Sequence, residues 1–491
     1  MTFKPSIYQQ NVFNFIQNGS GNAVIGAVAG SGKTTTIIQA LSNISSKKRI
    51  LMLAFNKSIA DELKEKVPYH VEVATFHSCA FGSLRSSSRS KMFVKSNKVF
   101  NIIKSEIPDW EERKLYGSYV QKLVGLGKGA GMGVLMNNNE NEWLKILDHH
   151  DLLQFCSDPN LDINTLLDYT DKVFRASNRD RRTIDFNDML LFTLMYKSTF
   201  KKYDFVFIDE AQDTNGVQRE ILKKLLKPQG RLIAVGDSYQ AIYGFRGADS
   251  TAMEMIVSEF GAQVLPLSIC YRCSKSVIEE ARQYMPTIES FDKAPQGSVR
   301  NLDRYEVSSF SSEDAILCRN TAPLVSFAYS FISKGVPVNM LGRDIGAGLV
   351  SFIKSFKTNS ISDLEDKMEE WYQKQVDNAS KNGNEQKLES ANDKVESIKI
   401  FIEQVIGDSV TNLISCIEDL FSDDVNGNIT LATVHKSKGL EWNNVFILDK
   451  NRFFPKWAKK EWMKIQERNI VYVAVTRAKK NLVYIKSNSW K

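Results

Sequence analysis

Two short stretches of this chain have the residue types for phosphoanhydride chemistry. Ala27-Val28-Ala29-Gly30-Ser31-Gly32-Lys33-Thr34 is a Gly-rich turn ending in Lys-Thr, set between an apolar run at 23–25 and a helix-like segment at 35–41. In a strand–loop–helix setting, backbone N–H groups at the helix N-terminus cradle phosphates. Lys33 then reaches the β- and γ-phosphates, and the Thr34 hydroxyl joins Mg²⁺. Far downstream, the apolar run 205–208 ends in Asp209-Glu210. One carboxylate of such a pair holds Mg²⁺ and the other handles an attacking water. Ala27 stands where the pattern G-x-x-x-x-G-K-[ST] starts with Gly, so placement between strand and helix carries the assignment. A third run, 232–235, leads into Gly236-Asp237-Ser238-Tyr239-Gln240-Ala241-Ile242-Tyr243-Gly244-Phe245-Arg246-Gly247-Ala248. An amide near a γ-phosphate registers its presence, and an exposed aromatic stacks a base. The combination couples nucleotide state to a nucleic acid strand.

These residues need a scaffold that delivers them to one place. Apolar runs at 23–27, 50–55, 71–75, 205–208 and 232–235 alternate with helical segments, the pattern of a parallel α/β sheet. Residues 81–183 interrupt it with helical character and a Gly-rich stretch, 125–133, read as a flexible loop in which Lys128 touches backbone phosphate. A second parallel sheet is expected from runs at 264–267, 315–318, 338–341, 429–433, 445–448 and 482–485. The expected organisation is a first sheet domain from 1–80 and 184–262, and a second from 263–350 and 429–491. Helical insertions fill 81–183 and 351–428. In the latter, Ser362 and Glu365 form a capping box, and Leu364, Met368, Trp371 and Tyr372 share a helical face. Residues 377–393 read as a solvated connector before a second amphipathic run, Val395, Ile398, Ile402 and Val405. Decoration and a role of its own are equal readings of that insertion.

Composition narrows the class. In 491 residues, 43% hydrophobic and 25% charged content is that of a globular protein with two to four domains. The net charge of +7 is compatible with a nucleic acid partner without requiring one. No window approaches the ~18 apolar residues of a membrane helix, and the N-terminus lacks a signal peptide's apolar core. An intracellular, reducing setting is expected. Of six cysteines only Cys270 and Cys273 form a C-x-x-C pair, with no second pair or His to complete a zinc site.

Taken in order, the motifs resemble those of superfamily 1 DNA helicases of the UvrD/Rep type. Thr75-Phe76-His77-Ser78 resembles T-F-H-S/G, 209–215 resembles D-E-x-Q-D-T-N, and 236–248 resembles G-D-x-x-Q-S-I-Y-G-W-R-G-A. Cys270-Tyr271-Arg272 resembles N-Y-R, 433–442 resembles T-x-H-x-x-K-G-L-E-F/W, and 472–478 resembles Y-V-A-x-T-R-A. The resemblance runs from about Gln9 to Ala478, nearly the whole chain, and Ala is common in that family where Ala27 stands. It implies two RecA-like P-loop NTPase domains with helical insertions, and ATP and Mg²⁺ as cofactors.

The same resemblance assigns roles. Ala29, Gly30, Ser31, Gly32, Lys33, Thr34 and Thr35 would hold the phosphates, with Thr34 and Asp209 on the metal and Glu210 on the water. Gln9, or Gln10 in the alternative register, would read adenine. Tyr271 would stack on it, and Glu441 would bind ribose. Gln240, Arg272 and Arg477 would contact the γ-phosphate, where fixed guanidinium groups stabilise the transferring charge. Phe55, Asn56, Thr75, His77, Tyr243, Phe245 and His435 would contact or border single-stranded DNA. Phe55 sits one residue nearer its Lys than in the family pattern, so stacking and core packing are equal readings. The insertion at 351–428 is short beside the accessory domain of larger members.

The expected activity is ATP-dependent translocation on single-stranded DNA with duplex unwinding, 3′→5′ by resemblance. Single/double-strand junctions are the expected substrates, a monomer the active form, and replication, repair or recombination proteins the candidate partners. Two rivals are a translocase that strips bound proteins and unwinds poorly, and a nucleotide-gated DNA-binding subunit with vestigial hydrolysis. No nuclease or tail domain is expected after Ala478.

Overall fold

The computed structural model describes residues 4–88, 91–150, 152, 161–242, 251–382, 385–422 and 429–487. The chain divides into two compact units, Met1–Ser268 and Ile269–Lys491. Among the described residues no helix is long and apolar enough to cross a membrane.

The first unit is built on β1 (Ala23–Ala27), β2 (Ile50–Ala54) and β3 (Val71–Thr75), with the short β4 (Phe93–Val94) and β5 (Thr183–Ile184) pairing apart from the main sheet. β6 (Tyr203–Ile208), β7 (Leu226–Gly236) and β8 (Gln263–Leu267) complete a six-stranded parallel sheet of order β3-β2-β6-β7-β1-β8. Its strands are apolar at successive positions because both faces are covered. Ile25, Met52, Phe207 and Val235 face one core, with Val12, Ile37 and Leu63. Val24, Leu53, Val206 and Ala234 face the other. That second core also holds Val120, Leu123 and Trp143 of the helical insertion, which therefore extends the sheet's packing.

The Gly-rich stretch 125–133 is not a loop. The helix Trp110–Ala130 runs through its first half and ends at Gly131, whose φ of 88° is the left-handed conformation of a helix stop. Gly127 is required by packing, since a Cβ there would lie 2.3 Å from the Trp143 ring. Close approach of an indole outweighs glycine's poor helix propensity.

The run 264–267 belongs to β8 and pairs with β1, so it completes the first sheet and not the second. An apolar run announces a strand without saying which sheet takes it.

The second unit begins with β9 (Ile269–Cys270) paired to β10 (Glu289–Ser290). Its main sheet has β11 (Ser298–Asn301), β12 (Asp314–Cys318), β13 (Val338–Leu341), β14 (Ile429–Thr433), β15 (Trp442–Leu448) and β16 (Ala478–Ile485). All pair in parallel, in the order β11-β16-β15-β12-β14-β13. The mixed α/β class with two parallel sheets is therefore as expected.

In the second insertion, the helix Ile361–Asn382 starts before Ser362, and the Ser360 hydroxyl accepts the Asp363 N–H at 3.3 Å. Asp408 occupies the Ser362 N–H instead (2.8 Å). Leu364 and Met368 are fully buried on the expected face. Over its described residues the stretch 377–393 is helical, made of the end of Ile361–Asn382 and the start of the second helix Glu385–Ile402. Asp393 explains the polarity of that stretch. Its carboxylate accepts the N–H groups of Thr321 and Ala322 (3.0 and 2.8 Å), at the start of the helix Ala322–Ile332.

Candidate nucleotide and nucleic-acid site

Parallel strands deliver all their C-terminal ends to one edge, where an open α/β sheet presents its ligand-binding loops. β1 ends in the phosphate loop. Gly30 and Gly32 have φ of 65° and 74°, conformations that a side chain resists, and Gly32 caps the helix Lys33–Ser42 without a side-chain bond. The first-turn N–H groups of that helix are left for a ligand. Ser31 Oγ is buried with no hydrogen-bond partner in the structure, an orphan acceptor and donor within the loop. Thr34 is half-buried and Thr35 exposed. These features fit a bound triphosphate.

β6 ends in buried Asp209 and then Glu210, a non-glycine residue at φ 54°. Such a conformation costs of order 1–3 kcal/mol and persists only when its surroundings impose it. Here the Glu210 N–H donates to Asp209 Oδ1 (2.9 Å). The Glu210 carboxylate lies 3.7 Å from Lys33 Nζ and accepts Gln212 Nε2. Gln212 then continues to β7, its Oε1 accepting the Asp237 N–H at 3.0 Å. Gln240 Nε2 donates to Asp237 Oδ2 (2.7 Å). Burial raises the Asp237 carboxyl above the usual range, opposed by Lys33 and the Gln240 bond. A Cβ at Gly236 would stand 2.4 Å from Gln212 Oε1, so a side chain there would push the Gln212 amide out of place. Lys33, Glu210 and Gln240 are thus tied together through Gln212 and Asp237, to which sequence reasoning gave no role. The signal available for Gln212 was its place in the quoted D-E-x-Q-D-T-N stretch.

Gln9 is buried against the phosphate-loop helix, donating to Thr36 Oγ1 (3.0 Å) while its Oε1 accepts the Ser6 N–H (3.0 Å). Gln10 is exposed and bonds Asn14, so the Gln9 register is the one beside the loop.

On the neighbouring strand ends, Phe55 after β2 is 40% exposed, which removes the core-packing alternative. Asn56 caps the helix Lys57–Lys66. Thr75 and Ser78 form a capping box at the start of the helix Phe76–Ser87. His77 is half-buried, and burial holds its pKa below the usual imidazole value. Its ring meets Phe186 edge-on at 5.8 Å, and Phe186 is 55% exposed. Phe186 is an aromatic that sequence reasoning missed, because it follows β5, a strand of only two residues. Tyr243 and Phe245 lie outside the described residues.

Lys128 does not reach a nucleic acid surface. It is buried, bonded to Ser177 Oγ (2.8 Å) and Asp185 Oδ2 (2.7 Å), and 2.6 Å from Asp188 Oδ1. Its partners lie on elements distant in sequence, so a basic residue in a glycine stretch read as a surface group.

Within the second unit, Tyr271 is 38% exposed and its ring lies 5.1 Å from Phe291. Arg272 pairs with Glu441, and Lys479 is 3.9 Å from the same carboxylate. Arg272 Nη1 also donates to the Thr476 carbonyl (3.4 Å). Arg477 is fully buried, its guanidinium on the carbonyls of Val473 (3.0 Å) and Leu440 (3.1 Å) and on Thr476 Oγ1 (3.4 Å). Tyr271, Arg272, Glu441 and Arg477 therefore form one cluster, of which Arg477 is the inner member. His435, half-buried, follows β14 in the helix Val434–Ser437. Cys270 and Cys273 are buried free thiols, and no group of His, Cys, Asp or Glu with metal-binding geometry occurs among the described residues.

Residues 9–261 match the UvrD/REP helicase N-terminal domain, and 347–489 match the UvrD-like helicase C-terminal domain. The F-box DNA helicase protein 1 of Schizosaccharomyces pombe is 26% identical, over 93% of this chain and 54% of its own length. DNA helicase II of Rickettsia typhi is 23% identical, over 96% of this chain and 90% of its own. The ATP-dependent DNA helicase PcrA of Staphylococcus epidermidis is 23% identical, over 96% and 82%. The chain spans about half the length of the first of these relatives. With both family domains matched in order, the chain belongs to the UvrD/REP helicase family.

Proposed function

We propose that the chain is an ATP-dependent DNA helicase that tracks as a monomer along single-stranded DNA, 3′→5′, and couples hydrolysis to strand separation at single/double-strand junctions. One arrangement supports this reading above all. The candidate DNA residues Phe55 and Asn56 follow β2 and Thr75 ends β3, while Lys33, Glu210 and Gln240 follow β1, β6 and β7, on the same edge of one sheet. β2 and β6 are neighbours, so the two groups meet across a single inter-strand step of ~4.8 Å. A shift at the phosphates then reaches the strand-end loops through packed backbone.

In this reading the phosphate-loop N–H groups and Lys33 hold the triphosphate. Glu210, fixed by Gln212, orients the attacking water and accepts its proton. Gln240 senses the γ-phosphate from its seat on Asp237. Gln9 reads adenine, Tyr271 stacks on it, and Glu441 takes the ribose. Arg272 offers its guanidinium to the developing charge, and Arg477 braces it through Thr476. Thr34 and Asp209 would hold Mg²⁺, which when bound neutralises charge on the phosphate oxygens. Phe55, Phe186 and His77 offer ring surface to bases, worth ~1–3 kcal/mol per stacked base whatever the sequence. The relatives' names, DNA helicase II and ATP-dependent DNA helicase PcrA, support the same substrate.

The test is ATP turnover titrated with single-stranded DNA, RNA and duplex, together with unwinding of 3′- and 5′-tailed duplexes. Stimulation by single-stranded DNA, its loss in Glu210→Gln with ATP binding kept, and unwinding from the 3′ tail are expected. Stimulation by RNA alone would overturn the substrate. Robust stripping of a bound roadblock protein without unwinding would replace the helicase by a translocase.

A further inference from the structure

The segment 450–468 of the second unit carries seven basic residues and two acidic ones, a net +5 within a chain of net +7. Its inner cations have internal partners. Lys450 pairs with Glu280 (3.1 Å), and Arg452 pairs with Asp449 (3.2 Å). Glu467, one of the two acids, is buried and held by Arg319 at 2.8 and 2.9 Å, so it offers nothing to the surface.

Of the other five, Lys460 is half-buried and four are exposed on the outside: Lys456, Lys459, Lys464 and Arg468. Lys456, Lys459 and Arg468 have no ion-pair partner among the described residues, and Lys464 has only exposed Glu461 at 3.7 Å, a pair of little strength. Several exposed lysines elsewhere in the chain are paired with an acid three or four residues away, as Lys64 is with Asp61, Lys66 with Glu62, Lys145 with Glu142 and Lys367 with Asp363. This surface lacks that compensation. It is also firmly placed. Phe453, Trp457 and Met463 are buried beneath it, and Trp457 Nε1 donates to Glu389 of the helix Glu385–Ile402. Lys464 and Arg468 stand one turn apart on the helix Glu461–Val475, on an exposed face adjoining the buried Met463 and Glu467.

We infer that Lys456, Lys459, Lys464 and Arg468 form a contact surface for the phosphate backbone of single-stranded DNA, continuing the path on which His435 lies. The segment follows β15 and His435 follows β14, and these strands flank β12 in the parallel sheet. Their C-terminal ends are therefore two strand spacings apart, ~10 Å, on one edge. Exposed Phe454, at 51%, stands at the start of the cation row, giving the pairing of ring and charge that suits an unstacked strand. The inference rests on the proposed DNA-tracking function and adds a surface to it.

Binding of a fluorescent oligothymidine to the full chain across a salt series tests the surface. In Lys456→Gln/Lys459→Gln/Lys464→Gln/Arg468→Gln, the slope of log affinity against log salt falls by about 3, since each phosphate contact on a single strand contributes ~0.7. ATP turnover without DNA stays at the wild-type rate, and the DNA concentration for half-stimulation rises. Neutralising Lys64, Lys66, Lys145 and Lys367 together leaves the slope unchanged. An unchanged slope in the first variant, an equal fall in the second, or a loss confined to duplex would each overturn the inference. A wild-type chain that binds no oligothymidine would sink the helicase reading itself, and this surface with it.

Discussion

Lys128→Met separates a folding cation from a DNA-binding one. Lys128 belongs to a buried quartet with Lys98, Asp185 and Asp188. Lys98 Nζ is 2.6 Å from Asp188, and Lys128 Nζ is 2.7 Å from Asp185 and 2.6 Å from Asp188. The side chains of Lys98, Lys128 and Asp188 are fully buried, and that of Asp185 is 10% exposed. Lys98 also donates to the carbonyls of Ser177 (2.7 Å) and Asp180 (2.9 Å). Burial pulls the Lys98 pKa down, opposed by Asp188. Two positive and two negative charges balance. Methionine at 128 fills the space and leaves one carboxylate uncompensated, which in a buried pair costs about 3–5 kcal/mol. For a unit spanning Met1–Ser268, about 4 kcal/mol lowers the melting temperature by ~7 °C. Adding Asp185→Asn restores neutrality and recovers much of the loss. Denaturant unfolding measures both variants, and oligothymidine binding is measured under conditions where the single variant is folded. The expected result is a large stability loss with an unchanged salt slope. A Lys128→Met chain within ~1 kcal/mol of wild type, with its salt slope reduced by about 0.7, would refute the quartet's structural role and return Lys128 to the phosphate path.

Three further outcomes follow from the same geometry. Gln212→Ala frees Glu210 and strips the Asp237 N–H of its acceptor; loss of a bond to a charged group, ~1.5–3 kcal/mol, lowers kcat about 10- to 150-fold, and a steady-state assay showing only a KM change would count against it. The folded-state pKa of His77 is depressed, so its unfolded form binds the proton more readily and its stability contribution, full above about pH 6.5, is lost on acidification; melting curves at about pH 7.5 and 5.5 should converge less in wild type than in His77→Gln, and identical pH dependence would remove the effect. Asp393→Ala leaves the N–H groups of Thr321 and Ala322 without their acceptor and should destabilise the second unit by about 1–3 kcal/mol in urea unfolding, whereas a neutral result would mean that water replaces the carboxylate.

What was legible in the sequence depended on whether the physics is local. A strand buried on both faces must be apolar throughout, so β1, β2, β6 and β7 stood out. A phosphate loop needs glycines and Lys-Thr within eight residues, and a strand end shows its carboxylates directly. Long-range packing was not legible. Gly127 is glycine because Trp143 lies against it, and nothing near Gly127 announces an indole. Lys128 reads as a surface cation until Asp185 and Asp188 are folded onto it. The same holds for β8, whose sheet is set by its pairing with β1. Ser360 takes the capping role expected of Ser362 because Asp408, brought from the connection before the helix Val410–Leu420, occupies the Ser362 N–H. Gln212 was visible as a residue type, but its bridge between two strand ends exists only when β6 and β7 are adjacent.

The second insertion illustrates how a sequence boundary and a physical one differ. Composition sets 351–428 apart as charged and helical, which left decoration and a separate role equally open. Its apolar residues do not form a core of their own. Leu364, Met368, Val395, Ile398, Phe401, Leu413 and Ile417 pack in one cluster with Ile316, Met340, Leu431, Phe446 and Val483 of the main sheet. Fully burying such a side chain is worth ~1.5–3 kcal/mol, so detaching the insertion would forfeit more than the whole stability of a typical domain. Polar ties act in the same direction. Asp393 caps the helix Ala322–Ile332, and Glu389 takes bonds from Asn320 and Trp457. The described part of the insertion is thus packed into the second unit as part of its core. Trp457 lies under the proposed cation row, so the insertion also fixes Lys456 and Lys459 in place. Within the proposed function its part is mechanical: it braces the main sheet of the second unit, at whose edge His435 lies.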